Sequence, residues 1–302
     1  MISCGDLHLR LDIPIGRIDN YLEAQESKFR FILRAAKKSP PLLVPGDFLD
    51  KARPPIELLY WIMSILEEED MVGKVLLVPG QHDLLWHSLK NLQRSAVSLL
   101  DKAGYIKLLT DQTKPLIVNN GEYVIWPCPY GMKPVEPTTT IEGTQVLVWH
   151  NMVINKGEEL WPGQNTLISG KILRKYKKYS IICTGDNHNY FLEKNGQRIL
   201  LNSGSMMRMK TDQQKHKPAI FKIEGPIVET IPIPIQENVL SDDHITEQKE
   251  CNERIKLFLS KLKEVRGYDL ISFKSNLKEF FNGNVIEQGV EQKVWEFYPT
   301  EE

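Results

Sequence analysis

Five times along this chain a short apolar run stops at an abrupt turn, and side chains able to bind a metal follow at once. Residues 1–4 lead into Gly5-Asp6-Leu7-His8, and residues 42–44 into Pro45-Gly46-Asp47-Phe48-Leu49-Asp50. Residues 74–78 lead into Pro79-Gly80-Gln81-His82-Asp83, 145–149 into His150-Asn151, and 180–183 into Thr184-Gly185-Asp186-Asn187-His188. A short apolar run bounded by Gly and Pro reads as a strand buried on both faces. Groups at the carboxyl ends of such strands lie where open α/β sheets place their sites. The repetition therefore constrains the chain to an α/β fold with its polar chemistry gathered at strand ends.

The intervening sequence fits that scheme. Residues 18–38 read as a helix with Tyr21, Leu22, Phe29, Ile32 and Leu33 on its inner face, 56–69 as a second helix opened by prolines, and 91–103 as a third. Residue 105 starts a further strand, and Asn119-Asn120-Gly121 and Asn195-Gly196 mark two hairpins. Residues 127–140, rich in Pro and Thr, read as a loop, and 206–217 as a basic, flexible stretch. Strands at 218–223 and 227–233 close the sheet region, and Pro232 and Pro234 mark a boundary. Two domains are expected, 1–235 and a mainly helical 236–302, the latter with an amphipathic helix over 242–265 (Ile255, Phe258, Leu259, Leu262, Val265) and weaker segments at 273–281 and 285–298.

With 38 Lys and Arg against 39 Asp and Glu, the net charge of −1 argues against a protein built to coat nucleic acid and leaves room for a local basic groove. No apolar stretch is long enough to span a bilayer, so no membrane partner is expected. The first strand is read as beginning at Met1, so no leader is expected ahead of it. The scattered Cys4, Cys128, Cys183 and Cys251 read as buried thiols of a reducing compartment, so a cytoplasmic location is expected.

The strand-end residues are Asp6, His8, Asp47, Gln81, His82, Asp83, His150, Asp186 and His188, and they include four of the seven histidines. Mixed carboxylate, imidazole and amide ligands suit a divalent ion such as Mn²⁺, Fe²⁺ or Zn²⁺, and the set is too large for one ion and about enough for two. Two ions roughly 3.5–4 Å apart suit displacement at phosphorus. His82, oriented by Asp83, is the candidate proton donor to the leaving oxygen.

The ordered series Asp-x-His, Gly-Asp-x-x-Asp, Gly-Gln-His-Asp, His and Gly-Asp-x-His resembles the calcineurin-like metallophosphoesterase superfamily over roughly residues 1–235. The resemblance implies a four-layer αββα sandwich with a small helical C-terminal appendage. It also implies Asp6, His8, Asp47 and His188 around a first metal, and bridging Asp47 with Gln81, His150 and Asp186 around a second. Gln81 stands where the family has asparagine and Asp186 where it has histidine. Both replacements favour hard ions, Mn²⁺ first and Mg²⁺ as the alternative.

Gly46 to Pro54, Tyr105 to Leu109, and Asn202-Ser203-Gly204-Ser205 with Arg208 look like the SbcD-type DNA repair nucleases, in a compact, phage-like version. That branch implies DNA as substrate, an SbcC-type coiled-coil ATPase docking on helices after the core such as 242–265, and a homodimer. Arg53 and Arg208 are the residues expected to meet substrate phosphate. The alternatives are a phosphoesterase for nucleotides or small phosphomonoesters, and a catalytically weak scaffold of the same fold.

Overall fold

Strands covered on both faces explain why the apolar runs show no alternation. The computed structural model describes residues 1–137, 141–157, 166–243, 252–259, 270–284, 286 and 289–296. It divides into two compact units, Met1–Ser241 and Asp242–Glu302.

In the first unit, β1 (Ile2–Ser3), β2 (Leu42–Val44), β3 (Val75–Leu77) and β4 (Lys107–Leu108) run parallel as neighbours. The sheet is extended beyond β1 by the antiparallel pair β13 (Ala219–Glu224) and β14 (Ile227–Pro232). A second six-stranded sheet has the order β11 (Phe191–Asn195), β12 (Arg198–Asn202), β10 (Ile181–Gly185), β7 (Thr144–His150), β6 (Tyr123–Cys128), β5 (Leu116–Val118). Its four central strands are parallel. A short pair, β8 (Val153–Ile154) and β9 (Leu167–Ile168), stands apart.

Alternate residues of each central strand enter different cores. Leu43, Leu76, Val146, Val148, Ile181 and Cys183 meet between the two sheets. Leu42, Val44, Val75 and Leu77 face Phe29, Ile32 and Leu33 of α1 (Tyr21–Lys38) and Leu58 and Ile62 of α2 (Ile56–Glu68), with Val97 and Leu100 of α3 (Ala96–Lys102). On the outer face of the second sheet, Leu147, Trp149, Ile182 and Leu200 pack against Ile172 and Leu173 of α4 (Ser169–Lys175). The layers are therefore helix, sheet, sheet, helix, the four-layer sandwich expected. Each fully buried Leu, Ile or Phe contributes about 1.5–3 kcal/mol.

Three local expectations need correction. The helix expected over 91–103 is a 3₁₀ stretch at Leu89–Arg94 followed by α3, because Ser95 is extended and its hydroxyl accepts the Leu85 N–H (3.1 Å). The stretch 206–217 is not simply solvated: Met206 and Met207 enter the core, and Arg208 and His216 are buried. Of the four cysteines, Cys4, Cys128 and Cys183 are buried free thiols, and Cys251 lies outside the described residues.

In the second unit the described residues form α5 (252–259), α6 (Leu270–Gly283) and α7 (Val290–Glu296), with Leu277, Phe281 and Val294 buried together. The helix expected over 242–265 is described only in part; 244–251 and 260–265 lie outside the described residues, as do 285, 287, 288, 297 and 298 of the last expected segment. No described helix is long and apolar enough to cross a membrane.

Candidate metal centre

The parallel order β1-β2-β3 places three of the five turns side by side, and β7-β10 places the other two. The turns after β1 and β2 ladder against one another. Asp6 donates its N–H to the Gly46 carbonyl (3.1 Å), His8 to Asp47 (3.0 Å) and Leu9 to Phe48 (3.0 Å). Asp6, His8, Asp47 and Asp186 all adopt left-handed backbone conformations, with φ of 50°, 46°, 50° and 84°. Such conformations cost about 1 kcal/mol or more each outside glycine and persist only where the surroundings impose them.

The motif glycines are there for close approach. A Cβ on Gly46, itself at φ +95°, would fall 1.9 Å from His150 Nδ1. A Cβ on Gly80 would fall 2.2 Å from Asp47 Oδ1. Any side chain at either position would displace a candidate ligand.

Among the described residues three groups of ligand atoms lie within 4.8 Å of one another, and two of them are Asp6, His8 and His188, and Asp6, Asp47 and His150. In the first, His8 Nε2 and His188 Nε2 stand 3.3 Å apart. Asp47 Oδ1 accepts the His82 N–H (2.9 Å), which leaves Oδ2 buried without a hydrogen bond, 3.4 Å from His150 Nε2 and 3.9 Å from His8 Nε2. That oxygen is charge-paired with His150 but makes no hydrogen bond, and a buried carboxylate oxygen aimed between two imidazoles has the geometry of a cation ligand. His150 Nε2 and Gln81 Oε1 are 2.6 Å apart, and Gln81 Nε2 donates to Asp186 Oδ1 (2.7 Å). His150 Nδ1 lies 2.6 Å from the Pro45 carbonyl, so Nδ1–H is the donor there and Nε2 is the atom left for a metal. The donor set fits two divalent ions.

Charge is distributed unevenly across the cluster. Burial pushes His8 down to about 3 and His188 down to about 4, so both are neutral at neutral pH. Burial opposes the charge on His150 too, but the Asp47 carboxylate outweighs it and raises His150 to about 10. Burial would raise Asp47 as well, and the surrounding histidines, His150 foremost, hold it well below the usual carboxylate range. Burial raises Asp6 and Asp186.

The remaining expected site residues are placed as follows. The His82 ring lies 4.9 Å from the His8 ring, with Nδ1 2.8 Å from the Asp50 carbonyl. Asp83 does not orient His82. Its buried carboxylate accepts the N–H groups of Leu49 (3.0 Å) and Gly80 (2.9 Å), tying the second and third turns together, and burial raises it to about 7. Arg53 is exposed and donates Nε to the Arg94 carbonyl (3.1 Å). Arg208, expected at substrate phosphate, is buried instead and donates to the carbonyls of Gln214 (3.2 Å) and Gln236, which makes it a structural tie.

Three supporting residues escaped the sequence reading. Asp50, noted only for its spacing, has a carboxylate 3.8 Å from His8 Nδ1 and 3.2 Å from Arg10, and groups with His8 and His82 as a third set of ligand-type atoms. Asn202 donates to the carbonyls of Asn187 (2.6 Å) and Asn189 (2.8 Å), bracketing His188. Gln213 Nε2 lies 3.1 Å from His188 Nδ1, while its Oε1 accepts the N–H groups of Met209 and Lys210. Asn202 follows an apolar strand and could have been included on that ground, whereas nothing around Gln213 marks it.

Solved structures with similar folds include TT1561 of Thermus thermophilus, at 12% identity and TM-score 0.46, covering 77% of this chain and 98% of that one. A Staphylococcus aureus protein assigned as a 5′-nucleotidase, in complex with α-ketoglutarate, matches at 14% identity and TM-score 0.46, covering 82% of this chain. The sulfate thiohydrolase SoxB of Thermus thermophilus, in complex with glycerol, matches at 11% identity and TM-score 0.44, covering 77%. The chain spans 57% and 56% of the length of the last two. No curated protein matches it. The profile of the calcineurin-like phosphoesterases matches residues 2–190, a stretch that runs from β1 past the last candidate ligand, and the chain belongs to that family.

Proposed function

We propose that the protein is a divalent-metal-dependent phosphodiesterase acting on DNA, an SbcD-like nuclease. The observation that carries the phosphodiesterase reading is Asp47 Oδ2, buried, without a hydrogen bond and aimed between His8 and His150. Asp6, His8, Asp47 and His188 would hold one ion, and Asp47, Gln81, His150 and Asp186 the other, with Mn²⁺ favoured and Mg²⁺ the alternative. Bound there, the ions supply Lewis acidity towards phosphoryl oxygens and lower the pKa of water.

Hydrolysis adds a water oxygen to phosphorus, breaks a P–O bond and leaves a sugar oxygen that must take up a proton. His82 is the residue we assign to give that proton. Its Nδ1–H donates to the Asp50 carbonyl (2.8 Å), so Nε2 is the free ring nitrogen; in the imidazolium form Nε2–H gives the proton and the ring is left neutral, beside the first ligand group. Support for DNA comes from Gly46 to Pro54, Tyr105 to Leu109 and the Asn202–Ser205 turn, which look like the nuclease branch; the same resemblance makes an SbcC-type ATPase the partner we propose for residues 242–265. Phosphoester hydrolysis of nucleotides is the second reading, favoured by the net charge of −1.

The test is hydrolysis of end-labelled single- and double-stranded DNA, of bis(p-nitrophenyl) phosphate and of a nucleotide panel, with Mn²⁺, Mg²⁺ or EDTA. Cleavage of DNA and of the chromogenic diester that EDTA abolishes is expected. Turnover of nucleotides alone would replace the nuclease reading with the second one, and no metal-dependent turnover of any phosphoester would leave a scaffold.

A further inference from the structure

The loop after the third motif carries an aromatic side chain in an unusual state. Trp86 has φ 55° and ψ 33°, and His87 after it has φ 50°. Two successive bulky residues in the left-handed region are a conformational outlier, of a kind that clusters at functional sites. Trp86 is also 70% exposed, although tryptophan is among the side chains that gain most from burial. Both features oppose stability, and the loop is nonetheless firmly held. His87 donates its N–H to the Leu84 carbonyl (2.9 Å), Leu85 donates to Ser95 Oγ (3.1 Å), and Leu84 itself is buried.

The loop is adjacent to the candidate metal centre. His87 Nδ1 lies 3.0 Å from the carbonyl of Gln81, and the His87 ring is 6.2 Å from the His82 ring. On the other side, the Arg94 guanidinium carbon lies 4.7 Å from the Trp86 ring centroid, and the Arg94 carbonyl accepts Arg53 Nε. Arg53, Lys90 and Arg94 are all exposed. An outward-facing indole stiffened by a stacked guanidinium, with a second exposed guanidinium tied to the same residue's backbone, is the combination that binds a flat base beside its phosphates without reading sequence.

We infer that Trp86 is a stacking platform for an unpaired nucleobase of single-stranded DNA next to the reacting phosphate, with Arg94 and Arg53 facing the flanking phosphates. This inference deepens the proposed nuclease reading and rests on it for its substrate. A base still paired and stacked within a duplex cannot present its face to the indole, so the platform selects single strands or frayed ends.

The test separates stacking from charge. A short fluorescein-labelled oligothymidylate and a strand of equal length made of abasic residues carry the same charge. Anisotropy titrations in EDTA compare their binding without hydrolysis. The wild-type protein is expected to bind the base-bearing strand about tenfold more tightly. Trp86→Ala is expected to erase that preference while binding the abasic strand as the wild type does, and Trp86→Phe to keep most of it. Equal wild-type affinities for the two strands would overturn the platform, as would a preference that survives in Trp86→Ala or an equal loss on both strands. Hydrolysis of bis(p-nitrophenyl) phosphate, which offers no nucleobase, tests the underlying reading separately. An intact diesterase without the base preference removes only the platform, and an intact preference without diesterase activity removes only the phosphodiesterase.

Discussion

Around His8 and His188 the two Nε2 atoms face each other 3.3 Å apart, burial dominates, and both rings are neutral near neutral pH. Around His150 the nearest carboxylate oxygen, Asp47 Oδ2, is 3.4 Å away rather than the 3.9 Å it keeps from His8, and the ring is raised to about 10. His150, Gln81 and Asp186 also hydrogen-bond to one another in series. Residue type already separates these halves a little, the Gln81 amide standing in the second where the first has another imidazole. Where the carboxylates lie separates them further, so an ion entering the second half must displace a proton and the two hydrogen bonds of that series, whereas one entering the first parts only the His8–His188 contact.

The largest expected effect removes what the two halves share. Asp47→Ala should leave dialysed protein without either tightly bound ion, read by elemental analysis, and lower diester turnover by roughly a thousandfold or more. Two ions retained in that variant would break the bridging assignment and make the halves independent. His82→Ala should keep full metal content and lower turnover by about a hundredfold, within the usual range for a lost general acid. A rate equal to wild type would remove His82 from the chemistry.

The five turns were legible because each joins an apolar run to a Gly-containing break and a ligand-type side chain. The structure explains the glycines at Gly46 and Gly80 by the ligands that lie where a Cβ would be. The four-layer arrangement was carried by the resemblance, and alternation of Leu42, Leu43 and Val44 between two cores fits it. Supporting contacts were not legible. Asp83 sits beside His82 in sequence, yet its partners are backbone N–H groups, one of them Leu49 in another turn. Arg208 read as a phosphate ligand from its basic surroundings, but its contacts are main-chain carbonyls that fold back over it. A contact whose partner is backbone leaves no residue-type signal. The same reason hid the break at Ser95, where one hydroxyl takes a distant N–H and interrupts an otherwise helical pattern.

Proton release should sharpen the contrast between the halves. His150 is protonated below about 10 and must lose its proton to ligate, whereas His8 and His188 are already neutral above about 3 and 4. Burial raises Asp6 in the first ligand set and Asp186 in the second, so the carboxyl contributions oppose one another and His150 carries the contrast. Between pH 6.5 and 8.5, Mn²⁺ affinity at the second position should therefore rise about tenfold per pH unit more steeply than at the first, one extra proton being released. Isothermal titration in buffers of different ionisation enthalpy measures that proton directly. Equal slopes would show that His150 is neutral or not a ligand.

The smallest expected effect makes the halves more alike. The Asp186 backbone is fixed by its N–H, which donates to both carboxylate oxygens of Asp6 (3.0 and 3.1 Å), so Asp186→His should change the side chain without moving the turn. The substitution replaces a charged oxygen by nitrogen, removes the acceptor of the Gln81 amide and takes one negative charge away from His150. Each change weakens the hold on hard ions. The Zn²⁺ to Mn²⁺ affinity ratio at the second position should rise by about three- to tenfold, while the first position keeps its own ratio. A ratio unchanged at both positions would place Asp186 outside the ligand set and leave the second half with Asp47, Gln81 and His150. A ratio changed equally at both would mean that the two halves respond as one electrostatic unit, and their contrast would then reflect the protonation of His150 rather than a difference in ligands.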